Sequence, residues 1–285
     1  MKKDRLLLLL FLFLPLCCAK AQSPVYYTGE DMKIYEHFMK SREKNRHAPV
    51  GDLMTGTACF FLSRPYVSST LEKEPEGLVV NFREMDCMTF VETVTALVRT
   101  LQSGDVSFDN YCHTLQNIRY REGAINDYTD RLHYTTDWIF ENERKGIVKD
   151  VTKEIGGKQL AVNLSFMSTH PDSYKQLKEH PEYVCKIAEK EQEINSREYY
   201  YIPEDEINAR ASGIKNGDIV CFVTSIKGLD ISHVGIISKT KEKLSFYHAS
   251  SSQKKVVLNE EPLQDYVQSI KRNSGIMILR VQPLH

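Results

Sequence analysis

Cys87 is the residue of this chain best placed to act as a nucleophile. It stands in "REMDCMTFVETVTAL" (83–97), directly after Asp86 and at the start of an amphipathic run. A thiolate attacks carbonyl carbon and a thiol does not, so a working cysteine must lose its proton. A helix N-terminus carries roughly half a positive charge and is expected to lower the thiol pKa, as a neighbouring imidazolium would. His233 in "SHVGIIS" and His248 in "LSFYHAS" complete the set, one to take the proton and one to orient the first. Most cysteines are inert core thiols. Cys87 departs from that pattern by lying off the apolar stripe and beside a charge.

Two elements must position these residues. Phe90, Val91, Val94, Leu97, Val98 and Leu101 recur with helical spacing, from a start near Asp86 to a stop before Ser103-Gly104. That places Cys87 in the first turn. The two histidine segments alternate apolar and polar residues and are joined by "KTKEK", which predicts a β-hairpin. A turn centred between Thr240 and Lys241 pairs 238 with 243, 236 with 245 and 233 with 248. The two histidines would then oppose each other on one sheet face, with Cβ atoms ~5 Å apart. Further strands are expected at 218–223, 275–281 and, briefly, 77–82. Helical stretches are expected before residue 49, at 110–120 and at 173–196, with a loop around Pro65. A helix carrying the nucleophile, followed much later by consecutive strands, is an α+β layout.

The N-terminus reads as an export signal, residues 1–21. Lys2, Lys3 and Arg5 precede an apolar run, and Ala19-Lys20-Ala21 is a cleavage pattern. The run is short for a membrane span, and simple cleavage is favoured over lipid anchoring at Cys17 or Cys18 because neither follows a small residue. The expected location is the periplasm or the exterior. The signal holds four basic residues and one acid, so the remaining 22–285 goes from a formal charge of −1 to −4. That excludes a dominant electrostatic grip on nucleic acid, and no second apolar stretch offers a transmembrane segment. Length suits one catalytic domain, expected to work as a monomer. Cys59, Cys87, Cys112, Cys185 and Cys221 are odd in number, so one at least is unpaired. A disulfide among Cys59, Cys112 and Cys185 stays open, and Cys221 reads as core. No C-x-x-C or H-E-x-x-H occurs, so no metal site is expected.

Asp86-Cys87, Gly217-Asp218-Ile219-Val220, Ser232-His233-Val234-Gly235-Ile236 and Tyr247-His248-Ala249 occur in that order. In this the chain resembles the NlpC-type branch of papain-like cysteine peptidases, which cut bacterial peptidoglycan. The resemblance implies a papain-like core at about 50–104 and 211–285, with a helical insertion at about 105–210. It implies a Cys87–His233–His248 triad, with Tyr66 of Pro65-Tyr66 by the oxyanion hole and no cofactor. With "RLHYTTDW" (131–138) and "NLSFMSTHP" (163–171) the pattern is most similar to the N-acetylmuramoyl-L-alanine amidase-like subgroup. The implied reaction is cleavage between the lactyl group of muramic acid and L-alanine in muropeptides.

Arg131, His133, Tyr134 and Trp138 form a polar and aromatic cluster that could stack on a sugar and bind a peptide carboxylate, or could simply be a helix start with a buried Trp. Asp86 and Ser232 are the other substrate-binding candidates. Asp86 is the residue an endopeptidase cutting after D-glutamate would use to hold a free peptide amine, and that activity is the alternative. A non-catalytic cell-wall binding module and an acyltransferase are the remaining alternatives.

Overall fold

The computed structural model describes residues 23–241 and 243–284. The signal-peptide reading, with Cys17 and Cys18, lies outside them. The chain opens with β1 (Val25–Tyr26) and continues through α1 (Gly29–Arg42), α2 (Val50–Phe60), β2 (Leu78–Val79), α3 (Cys87–Ser103), α4 (Phe108–Arg119) and α5 (Thr135–Arg144). A mixed stretch follows: β3 (Val148–Asp150), β4 (Lys158–Leu160), α6 (Phe166–Thr169), α7 (Lys175–Glu179), α8 (Pro181–Asn195), β5 (Tyr199–Pro203) and α9 (Ile207–Arg210). The C-terminal part is β6 (Ile219–Thr224), β7 (Ile231–Lys239), β8 (Leu244–Ser250), β9 (Lys255–Leu258), α10 (Leu263–Ser269) and β10 (Asn273–Val281). Helices and an antiparallel sheet make this an α+β protein.

The main sheet runs β4-β5-β10-β6-β7-β8-β9, with β3 also paired to β10. Segment 105–210, expected to be a helical insertion, is therefore mixed: its strands β3 and β5 extend the sheet on β10. Strand alternation sorts the core into two layers. Ile219, Cys221, Val223, Met277 and Leu279 face the helical layer of α1–α5 and α8, while Val220, Phe222, Ile276 and Ile278 face a smaller layer closed by Ile207 of α9 and by Leu263 and Val267 of α10.

α3 forms where its sequence predicts. Asp86 caps it: its Oδ1 accepts the Thr89 N–H at 2.8 Å, and Thr89 Oγ1 accepts the Asp86 N–H at 2.9 Å. Gly104, left-handed at φ +80°, ends it. Its stripe from Phe90 to Leu101 is buried almost completely against the sheet. The five described cysteines are all free, and Cys59, Cys112 and Cys185, the three candidates for a disulfide, sit on three different helices, α2, α4 and α8.

Candidate active site

Cys87 occupies the first turn of α3, half-buried. His233 lies near the start of β7 and His248 on β8. The hairpin register differs from the expected one: 236 pairs with 247 and 239 with 244, because the turn closes one residue later, with the Thr240 N–H donating to Lys243 O at 2.9 Å. This shifts the pairing by two residues, and an even shift keeps every side chain on its face. The histidines are therefore diagonal neighbours instead of directly opposed, and His233 Nε2 lies 2.7 Å from His248 Nδ1. Gly235 makes the diagonal possible: a Cβ there would come within 2.9 Å of Phe246 Cδ2 and 3.4 Å of His248 Cβ.

Two local irregularities bring Cys87 to the strand that carries His233. Pairing of β6 with β7 slips between Phe222↔His233 and Val223↔Ile231, which leaves Ser232 as the extra residue of a β-bulge directly before His233. Pairing of β7 with β8 stops at Ile236↔Tyr247. The Ile237 N–H donates to Asp218 O toward β6, so the even-numbered residues of β7 direct their amides toward β8. Val234 N–H thus points where the ladder has opened, and it meets the Cys87 thiol there. Tyr66 is held beside the same thiol by its N–H to Lys254 O (2.9 Å) and by the Met85 N–H to Pro65 O (3.1 Å).

The electrostatics differ from the expectation of a lowered thiol pKa. Burial, and then the Asp86 carboxylate, push Cys87 up to about 12, against the pull of the Val234, Met88 and Cys87 amides. Burial and then the neighbouring His248 push His233 down to about 3, and burial takes His248 to about 4. The resting pair is a neutral thiol and neutral imidazoles. Among the described residues no hydrogen bond joins Cys87 to His233. Nε2 of His233 is occupied by His248, so Nδ1 is the nitrogen left for the thiol proton.

Beside this turn a cavity of about 330 Å³ is lined by Asp86, Met88, Thr89, Glu72, Glu92, Arg119, Arg131 and His133 among others. Its wall holds a buried ion pair, Arg119 Nε to Glu92 Oε2 at 2.6 Å.

Several sequence candidates turn out differently. Trp138, 1% exposed, and Tyr134, 5% exposed, are core residues: the Tyr134 hydroxyl donates to Glu191 Oε1 at 2.6 Å, and neither ring can meet a sugar. Arg131 lines the cavity, but its guanidinium is engaged by Glu72, Glu76 and Leu71 O, so it braces segment 71–76. His133 lines the cavity with Nε2 2.9 Å from Tyr128 O, and burial holds its pKa near about 3. Ser232 donates to Asn273 Oδ1 at 3.0 Å and serves the bulge, which leaves it no free donor for substrate. Asp86 caps α3 through Oδ1 and borders the cavity. Sequence reasoning missed Tyr266 of α10, whose ring packs on His248 at 5.8 Å and whose hydroxyl pKa is raised by burial and then by its closeness to Cys87. The spacing of Leu263, Tyr266 and Val267 was the one available signal for that short helix. It also missed β9 and the Glu92–Arg119 pair, which is invisible until α3 and α4 pack. Among the described residues no group of His, Cys, Asp or Glu is arranged to hold a metal, and no helix is long and apolar enough to cross a membrane.

Solved structures extend the comparison. An N-acetylmuramoyl-L-alanine amidase from Bacteroides uniformis is 39% identical with a TM-score of 0.78, over 82% of this chain and 99% of that one. A Bacteroides fragilis protein provisionally named a xylanase is also 39% identical, with a TM-score of 0.76 over 79% and 99%. Protein LPG0564 from Legionella pneumophila is 25% identical, with a TM-score of 0.65 over 89% and 97%. No curated protein matches the sequence. The AmiA-like family model, described as N-acetylmuramoyl-L-alanine amidase-like, matches residues 57–276, and the chain belongs to that family.

Proposed function

We propose that the protein is an exported cysteine amidase that cleaves the bond between N-acetylmuramic acid and L-alanine in soluble peptidoglycan fragments, working outside the cytoplasm as a monomer on an NlpC-type papain-like core. The observation that carries it is the meeting of the Cys87 thiol, at the mouth of α3, with the strand bearing His233, itself 2.7 Å from His248. Sγ of Cys87 attacks the lactyl carbonyl carbon while its proton passes to His233 Nδ1. The tetrahedral oxyanion is stabilised by the Tyr66 hydroxyl and the Cys87 N–H. The C–N bond then breaks, His233 returns the proton to the leaving amine of L-alanine, and water hydrolyses the thioester. No step calls on a cofactor. The amidase name of the Bacteroides uniformis relative supports the bond assignment. A glycosidase would need two carboxylates flanking the scissile bond, about 5–10 Å apart, and a thiol stands at the nucleophile position here.

The alternative cut, by a γ-D-glutamyl endopeptidase, uses Asp86 to hold a free amine. Purified protein incubated with a defined disaccharide-tetrapeptide, with products weighed by mass spectrometry, separates the two. Free tetrapeptide starting at L-alanine is expected. An L-Ala-D-Glu dipeptide still on the sugar would establish the endopeptidase.

A further inference from the structure

A second cavity, of about 260 Å³, opens where segment 73–76, residues 126–128 and the stretch from α7 into α8 meet. Glu74, Glu76, Asp127, Tyr128, Gln176 and Tyr183 line it, and it shares no lining residue with the cavity beside Asp86. Arg131 braces the wall between the two. It bonds Glu72, which lines the cavity beside Asp86, at 2.8 Å and Glu76, which lines this one, also at 2.8 Å. The second cavity is therefore a separate compartment.

Gln176 is 4% exposed, and among the described residues neither its Oε1 nor its Nε2 has a hydrogen-bond partner. A buried donor and a buried acceptor left unpaired together are costly to the fold, so a native cavity that keeps them is suited to a ligand that pairs both. The charges of the lining narrow its chemistry. Three carboxylates against Lys73, exposed at the edge, disfavour an anion. Those carboxylates are not free for a cation either: Glu76 is paired with Arg131, Asp127 with Lys186 at 2.6 Å and Glu74 with Lys175 at 3.2 Å. What stays unmatched is a carboxamide, one acceptor beside one donor. Its complement is another amide, whose N–H and C=O lie side by side in the same way.

We propose that this cavity is an accessory site for a short uncharged peptide segment, one of whose peptide groups pairs with the Gln176 carboxamide. The cavity is smaller than the roughly 300–1,000 Å³ of drug-sized sites, so the occupant is short. Tyr128 and Tyr183 supply apolar surface for its backbone and small side chains. The site lies outside the reaction at Cys87 and does not depend on it.

The test titrates acetyl-dialanine amide, a neutral dipeptide blocked at both ends, into the full chain by calorimetry and ligand-observed NMR. Saturable binding is expected, weakened about tenfold or more by Gln176→Met through loss of both hydrogen bonds. Without peptide, Gln176→Met should melt no lower than the wild type, because the two polar atoms it removes pair with nothing in the chain. Gln176→Glu keeps the size but exchanges the donor for an acceptor, and should weaken binding as well. Gln176 lines this cavity and not the one beside Asp86, so dependence on it locates the peptide. No saturable binding, or binding indifferent to both variants, would overturn the site. So would a lower melting temperature for Gln176→Met, which would mean that the amide is already paired in the fold. N-acetylglucosamine is the control, and binding of that sugar with the same dependence on Gln176 would overturn the peptide assignment.

Discussion

In the resting protein the thiol of Cys87 and the rings of His233 and His248 are all held neutral chiefly by burial with no opposite charge to offset it, with Asp86 adding to the effect at Cys87 and His248 at His233. Under the proposed mechanism, proton transfer would be coupled to substrate binding instead of preceding it. Iodoacetamide should label Cys87 about tenfold faster for each pH unit between 7 and 9, because the thiolate fraction grows tenfold per unit below the pKa. A rate already flat at pH 7, read by mass spectrometry of the Cys87 peptide, would mean a preformed ion pair. The tautomers follow from the same geometry. If His233 is to accept a proton at Nδ1, its Nε2–H must donate to His248 Nδ1, and His248 then carries its own proton on Nε2, which is buried and without a partner. His248→Asn keeps an acceptor for His233 and discards that orphan donor. We expect it to retain part of kcat and to melt no lower than His248→Ala, while His233→Ala and Cys87→Ala lose turnover with folding intact.

At the scale of elements, the site depends on where the β7–β8 ladder opens and on what fills the opening. Gly235 sits there because any side chain would collide with Tyr247 O at 2.8 Å and Phe246 Cδ2 at 2.9 Å. Gly235→Val should cost about 1–3 kcal/mol by overpacking. It should also lower kcat, since the ring contact between His233 and His248 is the first thing a displaced strand disturbs. Urea unfolding beside steady-state kinetics reads both, and a variant with native stability and native kcat would show that the glycine is not needed. The α3–α4 pair adds a second test. Arg119 and Glu92 are both buried, and removing one partner leaves the other charge uncompensated, so Arg119→Ala should destabilise by about 3–5 kcal/mol.

For the whole molecule, burial of neutral histidines makes stability depend on pH. His133, His233 and His248 have folded pKa values below the unfolded one, so the unfolded chain binds more protons in mild acid. Their contribution is complete above about pH 6.5 and is lost as pH falls toward 3, at up to about 1.4 kcal/mol per unit for each site. Burial raises the carboxyls of Glu92, Asp150 and Asp230, which act in the opposite sense over part of that range. The difference between variants is therefore the readout. His248→Asn should lose less melting temperature than the wild type between pH 7 and 4.5, and equal losses would show that His248 is not held neutral by the fold.

Periodicity and local punctuation were enough to locate α3, its Asp86 cap and Gly104 stop, the strands β6, β7, β8 and β10, and the shared face of His233 and His248, because these are set by neighbours in sequence. The hairpin register was off by two residues, since a polar connector such as "KTKEK" tolerates several turn centres, yet the face survived because side-chain direction depends only on parity. Tertiary structure alone decided the rest. Trp138 and Tyr134 look like a sugar platform as a string, but α5 and α8 bury them. Arg131 looks free until segment 71–76 brings Glu72 and Glu76 to it. The thiol pKa moved up instead of down because burial, which only the packed chain supplies, outweighs the first-turn amides, and the adjacent Asp86 carboxylate adds to it.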